Sequence, residues 1–466
     1  MGQEEVKKAL KRKGSWLMSN EIAKATGNSL KSIQSSLRRL VKWGEVKKEP
    51  ASKVIQDGKR LKEKSFSGYA YKIKDCKTLD DFKFKDKTVL LRLDLNSSHN
   101  PFFTPSENFS NHLPTILELI EKQAKIVILS HQDSKDEIES LEPHTSYLSK
   151  KLNKPVFYIN DLYGKEAEEK IKSLKPGEIL ILKNLMSLKE EKKTKLKKQS
   201  KTKLVASLSK LADIYVNDSF SLSHLDWVSI TGFPQVMPSC LGRFFEKEIE
   251  VVNQLFDPTK PCLYILGGNK PDPFIQLIKT SLEGNRASTI LTTGPLSHLL
   301  HLANNKKLGG QENELKKLKI KISPELKELS KKNNSIILPK DYYISTFGVK
   351  ENVLLANLPV YQTLGDIGKE TLQDYISAIK EAKTIFIKGL PGRVESPEFQ
   401  DSTKILLNEI ANSQAFSFIL GDSTVEAFKN FNIPIKNITH LSKNTEPILA
   451  YLSEKPLPAL EVLKIK

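Results

Sequence analysis

The stretch Ile214–His224 combines an apolar run with polar side chains that could hold a ligand. Its first residues, Ile214–Val216, are β-branched or aromatic and predict a short buried strand. Asn217, Asp218 and Ser219 follow, and these residue types favour a turn or a helix cap. Open α/β sheets bind ligands beyond the carboxyl ends of their strands, so this junction is a candidate site. The same pattern also fits an ordinary strand-to-loop junction, and this stretch alone leaves both interpretations open.

The same stretch resembles the YVNDAFG-x-x-HR motif of phosphoglycerate kinases, and seven further segments resemble that family in the same order. Those segments are Val89–Asn96, Leu113–Leu119, Ile126–His131, Pro176–Leu185, Phe244–Glu250, Ile265–Lys270 and Asp366–Tyr375. The resemblance runs from about Thr78 to the end of the chain. Together with the alternation of short apolar runs and helical patterns, it predicts an α/β fold with two lobes, each containing a parallel sheet. A small winged-helix domain is expected to precede this phosphoglycerate-kinase-like body.

The resemblance and a shift in charge predict five parts. Residues 1–74 hold 19 basic and 7 acidic residues, so +12 of the net charge of +18 lies in this short segment and sets a boundary near Asp75. The predicted parts are a winged helix-turn-helix domain (1–75), a first kinase-like lobe (76–243), an interlobe helix (244–258), a nucleotide-lobe-like domain (259–440) and a terminal segment that returns to the first lobe (441–466).

The resemblance implies substrate contacts in the first lobe, but the expected cations are missing. Residues corresponding to the family's phosphoglycerate-binding Asp, Asn and His are Asp94, Asn96, His131 and His224. The family also neutralises the 3-phosphate with arginines, whose planar forks bind phosphate bidentately. Four of those arginine positions hold Asn108, Ser134, Met186 and Leu225 here. We therefore favour a structural, hydrogen-bonded role for Asp94 and His131 over a substrate-binding role.

The nucleotide site implied by the resemblance is altered as well. Lys270 matches a phosphate-contacting lysine, Glu395 matches a ribose-contacting glutamate, and Thr424 lies in a nucleotide-site loop, whereas the lysine that steadies the transferred phosphoryl group falls on Phe274. Glycine turns bind phosphate through backbone N–H groups, and several such turns carry side chains in this chain. We name no catalytic residue, because Phe274 replaces the family's lysine, and we expect no metal site; Lys270, Glu395 and Thr424 could still bind Mg-ADP or Mg-ATP.

The basic amino-terminal segment predicts a compact module. Helical patterns cover Glu4–Lys13, Ser19–Thr26 and Asn28–Trp43, with Ser19 placed as an N-cap. Strand-like runs follow at Glu45–Lys48 and Gly68–Ile73. Three helices followed by a hairpin resemble a winged helix-turn-helix, whose third helix reads nucleic acid.

The third predicted helix carries polar and basic residues away from its apolar stripe, and the predicted wing carries Lys53, Lys59, Arg60, Lys62 and Lys64. The resulting nucleic-acid candidates are Lys31, Gln34, Ser35, Arg38, Lys42, Lys59 and Arg60. The predicted partner is DNA, RNA or a ribonucleoprotein. A protein-docking module with a solvated basic face explains the same composition and stays open.

These observations lead to two main functional hypotheses. The preferred one is a catalytically degenerate kinase-like protein that uses its basic module for nucleic-acid or ribonucleoprotein binding in a regulatory role; a pure interaction scaffold is a variant. The alternative is a divergent, active phosphoglycerate kinase or a related ATP-dependent phosphotransferase. The sequence has no apolar run near the roughly 20 residues of a membrane span and only three scattered cysteines, which predicts a cytoplasmic protein without a membrane partner. The oligomeric state is open.

Overall fold

The computed structural model describes residues 2–13, 16–42, 46–55, 68–73, 76–97, 107–133, 140–268, 272–319, 322–332 and 335–464. The chain forms two compact units. Unit 1 comprises Met1–Gln254 together with Pro456–Lys466, and unit 2 comprises Leu255–Lys455. The finer five-part division stays a prediction.

Unit 1 begins with a helical module on a small antiparallel sheet. Its helices are Gly2–Lys13, Ser19–Thr26, Leu30–Lys42 and the short Ala51–Val54. Its strands are β1 (Leu17–Met18), β2 (Val46–Pro50) and β3 (Tyr69–Ile73), in the order β1-β3-β2. Apolar residues that recur at helical spacing form its core, because they share one face of each helix. The predicted order of three helices and a hairpin is present.

The cap of the second helix differs from the sequence prediction. Ser19 is its first residue, and the cap residue is Met18, whose N–H donates to the Glu21 carboxylate at 2.7 Å. Pairing of β1 with β3 keeps Met18 extended and therefore shifts the cap by one residue. Gly27 follows the helix and ends it with φ of 73°, an angle that glycine adopts readily.

The rest of unit 1 is an α/β body around a six-stranded parallel sheet with the order β6-β7-β5-β4-β8-β9. Apolar runs form its strands because both faces of the sheet are covered and buried. The strands are β4 (Thr88–Arg92), β5 (Lys125–Leu129), β6 (Val156–Tyr158), β7 (Ile179–Ile181), β8 (Ile214–Asn217) and β9 (Ser239–Leu241). Its helices are Leu113–Glu121, Pro143–Leu152, Lys165–Ser173, Glu190–Lys193, Leu196–Gln199, Lys203–Leu208, Val228–Thr231, Arg243–Val252 and Pro458–Leu463.

Unit 2 contains a second six-stranded parallel sheet, with the order β12-β11-β10-β16-β17-β18. Its strands are β10 (Cys262–Leu266), β11 (Thr289–Thr292), β12 (Ile336–Ile337), β16 (Thr384–Lys388), β17 (Phe416–Leu420) and β18 (His440–Ser442). A small antiparallel sheet is formed by β13 (Asp341–Thr346), β14 (Val349–Leu354) and β15 (Asp366–Ile367). The helices are Asp272–Glu283, Gly294–Ala303, Gly310–Lys317, Pro324–Lys332, Lys369–Glu381, Asp401–Asn412, Asp422–Asn430 and Thr445–Leu452.

The strand orders define one switch point in each sheet. In unit 1 the chain proceeds from β4 to β5 on one side and later adds β8 on the other. In unit 2 it proceeds from β10 to β11 and later adds β16 on the opposite side. Crevices beyond the carboxyl ends of such strand pairs are where open α/β sheets bind ligands. The prediction of two α/β lobes with separate parallel sheets is confirmed, since β8 and β10 lie in different sheets.

The module of unit 1 is held against the helix Arg243–Val252. Lys47 on β2 contacts two carboxylates of that helix, Glu246 at 2.5 Å and Glu250 at 2.9 Å. Within the described residues, no helix combines the length and apolar composition needed to cross a bilayer.

Candidate functional site

A buried arginine lies at the switch point of the unit 1 sheet. Arg92 is the last residue of β4 and has no solvent exposure. Its Nε donates to the Ser229 hydroxyl at 2.9 Å, and a terminal nitrogen lies 3.2 Å from Nδ1 of His131. Burial lowers the pKa of Arg92, while the nearby Glu191 carboxylate opposes that shift. Arg92 thus lies beside the first-lobe candidates but is already bonded to protein groups.

Glu191 completes the inner part of this network. It accepts hydrogen bonds from both the backbone N–H and the hydroxyl of Ser229. Burial raises the pKa of Glu191, and the Arg92 charge counteracts the rise. Glu191 and Gln199 lie in the lysine-rich run Lys189–Lys203, yet both are buried. Each of them bonds to the segment that follows β8.

His131 and Asn96 share a carboxylate partner at the same edge. His131 is buried, and its Nε2 lies 3.6 Å from Oδ2 of Asp133. The Asn96 amide donates to Asp133 at 3.2 Å and accepts from its backbone N–H at 3.1 Å. The bond to His131 lowers the pKa of Asp133. Lys192 lies 3.8 Å from Asp133 and over the Trp227 ring at 4.6 Å, a cation that sequence reasoning missed.

Asp94 is held in place by neighbouring residues. Its Oδ2 accepts a short hydrogen bond from the Ser221 hydroxyl, and its Oδ1 accepts from Asn96 N–H at 3.2 Å. Burial acts to raise the pKa of Asp94, but His131, Ser221 and His112 outweigh it and hold the pKa below its ordinary value. The carboxylate is therefore stabilised in its charged form.

A second buried pair, His112 and Asp218, contacts the backbone of Asp94. Nδ1 of His112 lies 2.9 Å from the Asp218 carboxylate, and Nε2 lies 3.3 Å from the Asp94 backbone nitrogen. Because the Asp94 backbone N–H donates to Nε2, the Nδ1–H of His112 donates to the Asp218 carboxylate. Asp218 also accepts from the N–H groups of Phe244 and Phe245 at the start of the next helix. Sequence reasoning placed Asp218 in a candidate ligand-binding junction but assigned no site role to His112 or Arg92; the signal for Arg92 was a charged residue inside an apolar strand.

Of the four positions where the family has arginine, the structure describes two side chains, and neither is a cation. Met186 and Leu225 are half-buried, and the backbone N–H of Met186 donates to the Asn184 side chain. Ser134 lies outside the described residues, as does the side chain of Asn108. His224 is half-buried in the segment after β8.

The carboxyl edge of the unit 2 sheet is built from glycine turns. Four neighbouring strands, β11, β10, β16 and β17, are each followed within one or two residues by a glycine with positive φ. These glycines are Gly294 (50°), Gly268 (127°), Gly389 (98°) and Gly421 (99°). Residues with side chains rarely adopt such angles, so the backbone itself forms this surface.

Thr424 stabilises one of the glycine turns at this edge. It is fully buried, and its hydroxyl accepts a hydrogen bond from Gly389 N–H at 3.1 Å. The turn at Gly389 is so close to β10 that a Cβ atom would lie 2.2 Å from the Gly267 carbonyl oxygen. Thr424, predicted as a nucleotide contact, therefore shapes the turn.

The other predicted nucleotide residues have different settings. Phe274 is buried in the helix Asp272–Glu283, and its ring packs towards Gly268. Glu395 is exposed after β16. Lys270 lies outside the described residues. Among the described residues, no group of three or more His, Cys, Asp or Glu side chains is arranged to hold a metal ion.

The basic face of the amino-terminal module is open to solvent. All five candidates on the helix Leu30–Lys42 are exposed: Lys31, Gln34, Ser35, Arg38 and Lys42. Lys48 on β2 is exposed as well and lies 3.7 Å over the ring of Tyr69, an addition that the sequence did not reveal. Lys59 and Arg60 lie outside the described residues.

Comparison with known proteins assigns the α/β body. The family model described as phosphoglycerate kinase matches residues 79–455. Phosphoglycerate kinase of Methanothermus fervidus is 36% identical over 401 residues, covering 83% of this chain and 96% of that protein. The corresponding Pyrococcus horikoshii protein is 35% identical over 402 residues, covering 83% and 97%.

Solved structures agree with the sequence comparison. The crystal structure of phosphoglycerate kinase from Pyrococcus horikoshii has a TM-score of 0.72 and 33% identity, covering 83% of this chain and 98% of that chain. Phosphoglycerate kinase from Coxiella burnetii gives a TM-score of 0.71 at 26% identity. With these similarities extending across both α/β units, the chain belongs to the phosphoglycerate kinase family.

Proposed function

We propose that this chain is an ATP-dependent phosphotransferase of the phosphoglycerate kinase family, the second of the two hypotheses drawn from sequence. The observation that carries the proposal is the row of four positive-φ glycines at the carboxyl edge of the unit 2 sheet. Bare backbone at such an edge allows phosphates to approach N–H groups and helix starts. The near-complete coverage of relatives named phosphoglycerate kinase supports the same activity.

The chain's own groups would position the nucleotide more than react with it, since phosphoryl transfer depends mainly on positioning and charge neutralisation. The buried Thr424 fixes the Gly389 turn, and the exposed Glu395 is available for a ribose hydroxyl. Magnesium, arriving with the nucleotide, would neutralise phosphate charge. Mg²⁺ often uses only one or two carboxylates beside phosphates and water, and the exposed Asp422 at the start of its helix fits that requirement.

The acceptor would bind at the switch point of the unit 1 sheet, beside Asp94 and His131. Phosphoglycerate is the first acceptor to test because the relatives carry that name. Met186 and Leu225 supply no charge to a phosphate, which leaves Lys192 as an exposed cation beside Asp133. We therefore expect a high KM for phosphoglycerate, with a less anionic carboxylic acid as the competing acceptor class.

The test combines calorimetry and turnover on the purified full-length chain. We expect Mg-ADP to bind and ATP-dependent phosphorylation of 3-phosphoglycerate to be measurable, with KM above 1 mM, the top of the roughly 1 μM–1 mM range common among enzymes. Absence of both nucleotide binding and turnover would refute the proposal. Nucleotide binding without turnover on any carboxylic acid would favour the catalytically degenerate, regulatory hypothesis instead.

A second candidate function is nucleic-acid binding by the amino-terminal module, favoured by the exposed basic face of Leu30–Lys42. Residues 1–74 carry a net charge of +12, which creates a positive potential that attracts polyanions. The three helices and the β1-β3-β2 sheet fit the predicted winged helix-turn-helix, although protein docking uses similar modules. DNA, RNA and ribonucleoprotein share the phosphate chemistry that this face would recognise.

Salt-dependent binding to duplex DNA and to single-stranded RNA tests this second function. The double variant Arg38→Glu, Lys42→Glu should weaken binding and flatten the dependence on salt, whose log–log slope is about −0.7 to −0.9 per neutralised phosphate. A matched control with equal charge change is Lys150→Glu, Lys151→Glu, on exposed positions of Pro143–Leu152. If both double variants lose the same affinity for nucleic acid, net charge alone explains the binding, and the helix Leu30–Lys42 is not the binding surface.

A further inference from the structure

A dense group of lysines covers one part of the α/β body of unit 1, residues 189–203, called here the lysine segment. It contains eight lysines and two glutamates, which give it a net charge of +6. It forms the short helices Glu190–Lys193 and Leu196–Gln199 and leads into the helix Lys203–Leu208. Runs of like charge are often disordered, whereas this one has a defined fold on the surface of the body.

Three buried side chains anchor the lysine segment: Glu191, Gln199 and Thr202. Glu191 accepts hydrogen bonds from the backbone N–H and the hydroxyl of Ser229. The side-chain oxygen of Gln199 accepts from the Thr231 hydroxyl. Thr202 is the N-cap of the helix Lys203–Leu208. Because these anchors fix the backbone, a partner would bind the segment with little loss of backbone entropy.

The charge of the lysine segment is exposed and is not balanced by ion pairs. Only Lys192 has a carboxylate partner in the part of the chain that the structure describes, Asp133 at 3.8 Å. The seven other lysines are exposed and form no ion pair with a described residue: Lys189, Lys193, Lys195, Lys197, Lys198, Lys201 and Lys203. In contrast, the helix Lys165–Ser173 pairs two of its lysines with glutamates on its own surface. The segment therefore carries a concentrated positive potential, which attracts polyanions.

The residue types of the lysine segment indicate which polyanion it fits. Lysine binds phosphate as a point charge and does not need the bidentate geometry that arginine uses. The segment contains no arginine or asparagine, and its one glutamine, Gln199, is buried, so it offers none of the side chains that pair bidentately with base edges. Leu196 is its only apolar residue, so it has no apolar face to insert into a bilayer. These features favour the repeated phosphates of a nucleic-acid strand over a membrane.

We propose that the lysine segment is a second nucleic-acid-binding surface, which contacts the phosphate backbone without reading the bases. It lies on the kinase-like body and shares no residue with the basic face of the helix Leu30–Lys42. The inference has the same class of partner as the second candidate function, but it rests on residues outside the amino-terminal module. Two separate positive surfaces on one chain would bind a long strand more tightly than either surface alone.

The experiment measures binding of the full-length chain to poly(U) as a function of salt. The test variant combines Lys195→Gln, Lys197→Gln, Lys198→Gln and Lys201→Gln. We expect its affinity at about 150 mM salt to fall about 10- to 100-fold. The log–log slope should become less steep by about 2 to 3, because each single-strand phosphate that is no longer neutralised removes about 0.7.

Two further variants separate a local contact from general effects. The matched control replaces four exposed lysines elsewhere on the same body by glutamine: Lys150, Lys151, Lys154 and Lys175. It has the same net charge as the test variant and should bind poly(U) almost as the parent does. Replacing the four test lysines by arginine keeps their charge and should preserve binding. All variants should melt at the temperature of the parent, since the exchanged side chains form no ion pair with described residues.

The outcomes distinguish this inference from the second candidate function. If the glutamine variant binds poly(U) as tightly as the parent, or if the matched control loses as much affinity, the inference is refuted. Loss of binding in the arginine variant as well would assign the segment a structural role and would also refute it. Tighter binding to vesicles of phosphatidylserine and phosphatidylcholine than to poly(U), lost in the glutamine variant, would make the surface a membrane contact and overturn the inference.

The double variant Arg38→Glu, Lys42→Glu tests the module separately. If it binds poly(U) as the parent does while the glutamine variant of the lysine segment loses affinity, the module's role fails and this inference stands. If only the module variant loses affinity, the module's role stands and this inference fails.

Discussion

The two parallel sheets place opposite kinds of surface at their switch points. In unit 1 the edge is closed by side chains that bond to one another, with Arg92, His131 and Asp218 all buried. In unit 2 the edge is opened by glycines, and Gly268, Gly389 and Gly421 turn with positive φ. The first edge therefore depends on charge and hydrogen bonding between side chains, whereas the second depends on backbone shape.

Two aspartates, Asp94 and Asp366, have pKa values shifted in opposite directions by their surroundings. Burial acts to raise the pKa of Asp94 in unit 1, yet His131, Ser221 and His112 lower it overall. In unit 2, burial raises the pKa of Asp366 to about 7, because its hydrogen bonds from Ser402 and Ile367 are too weak to offset the loss of water. Unit 1 thus holds the Asp94 carboxylate charged, whereas unit 2 holds the buried Asp366 partly protonated near neutral pH.

The largest expected effect comes from removing the carboxylate at the centre of the polar edge. Asp218→Ala leaves the His112 ring and the N–H groups of Phe244 and Phe245 without their acceptor. We expect the free energy of unfolding of unit 1 to fall by about 4 kcal/mol, measured by urea unfolding with tryptophan fluorescence, since all three tryptophans lie in unit 1. Asp226→Ala, at an exposed position of the same loop, should change it by less than about 0.5 kcal/mol. Equal effects would contradict the view of this edge as a bonded network.

Adding one methyl group tests whether the carboxyl edge of the unit 2 sheet has room for a side chain. Gly389→Ala combines a left-handed backbone angle with a Cβ atom 2.2 Å from the Gly267 oxygen, so we expect about 3 kcal/mol of destabilisation. Gly348→Ala is the matched control, since Gly348 has φ of 83° and no atom within 4 Å of the added Cβ. Gly348→Ala should lower the free energy of unfolding by about 1 kcal/mol, because only the left-handed backbone angle opposes the added methyl group. Hydrogen exchange of unit 2 peptides gives both values, and a Gly389→Ala loss no greater than the control would show that the edge has room for side chains.

The pH dependence of unit 2 should reveal Asp366. Its folded pKa is raised to about 7, so the stability it contributes is complete below the ordinary value near 4 and is lost as pH rises through about 7. Between pH 5 and 7 the expected loss is about 2 kcal/mol, and Asp366→Asn should remove that slope. Hydrogen exchange of the segment 401–412, which packs beside Asp366, reports this change. A variant with an unchanged slope would assign the pH dependence to another group.

The smallest effect compares two serines in one turn of unit 1. The Ser221 hydroxyl donates to the Asp94 carboxylate, whereas the buried Ser223 hydroxyl has no hydrogen-bond partner among the described residues. Ser221→Ala should cost about 1.5 kcal/mol and raise the pKa of Asp94, because a charged acceptor loses its donor. Ser223→Ala should cost less than about 0.5 kcal/mol. Urea unfolding at pH 7 measures the free energy of unfolding of both variants. A larger loss for Ser223→Ala than for Ser221→Ala would contradict a stabilising hydrogen bond from Ser221 to Asp94.

The sequence alone determined the elements and their order. Apolar runs such as Ile214–Val216 became buried strands, and the residues spaced by three or four on Leu30–Lys42 became its exposed face. These features follow from side-chain periodicity and local backbone preference, which act over a few neighbouring residues. Collinear motif resemblance was enough to predict two α/β lobes with separate sheets.

Tertiary structure decided which polar groups meet. Arg92 bonds to His131, 39 residues away, and to Ser229, 137 residues away, so no local pattern could reveal this network. The same holds for Glu191, which lies in a lysine-rich run yet is buried against Ser229. Periodicity predicts which face of an element is apolar. Only the packing of distant elements sets the burial and the partners that turn a charged side chain into a structural or a ligand-binding group.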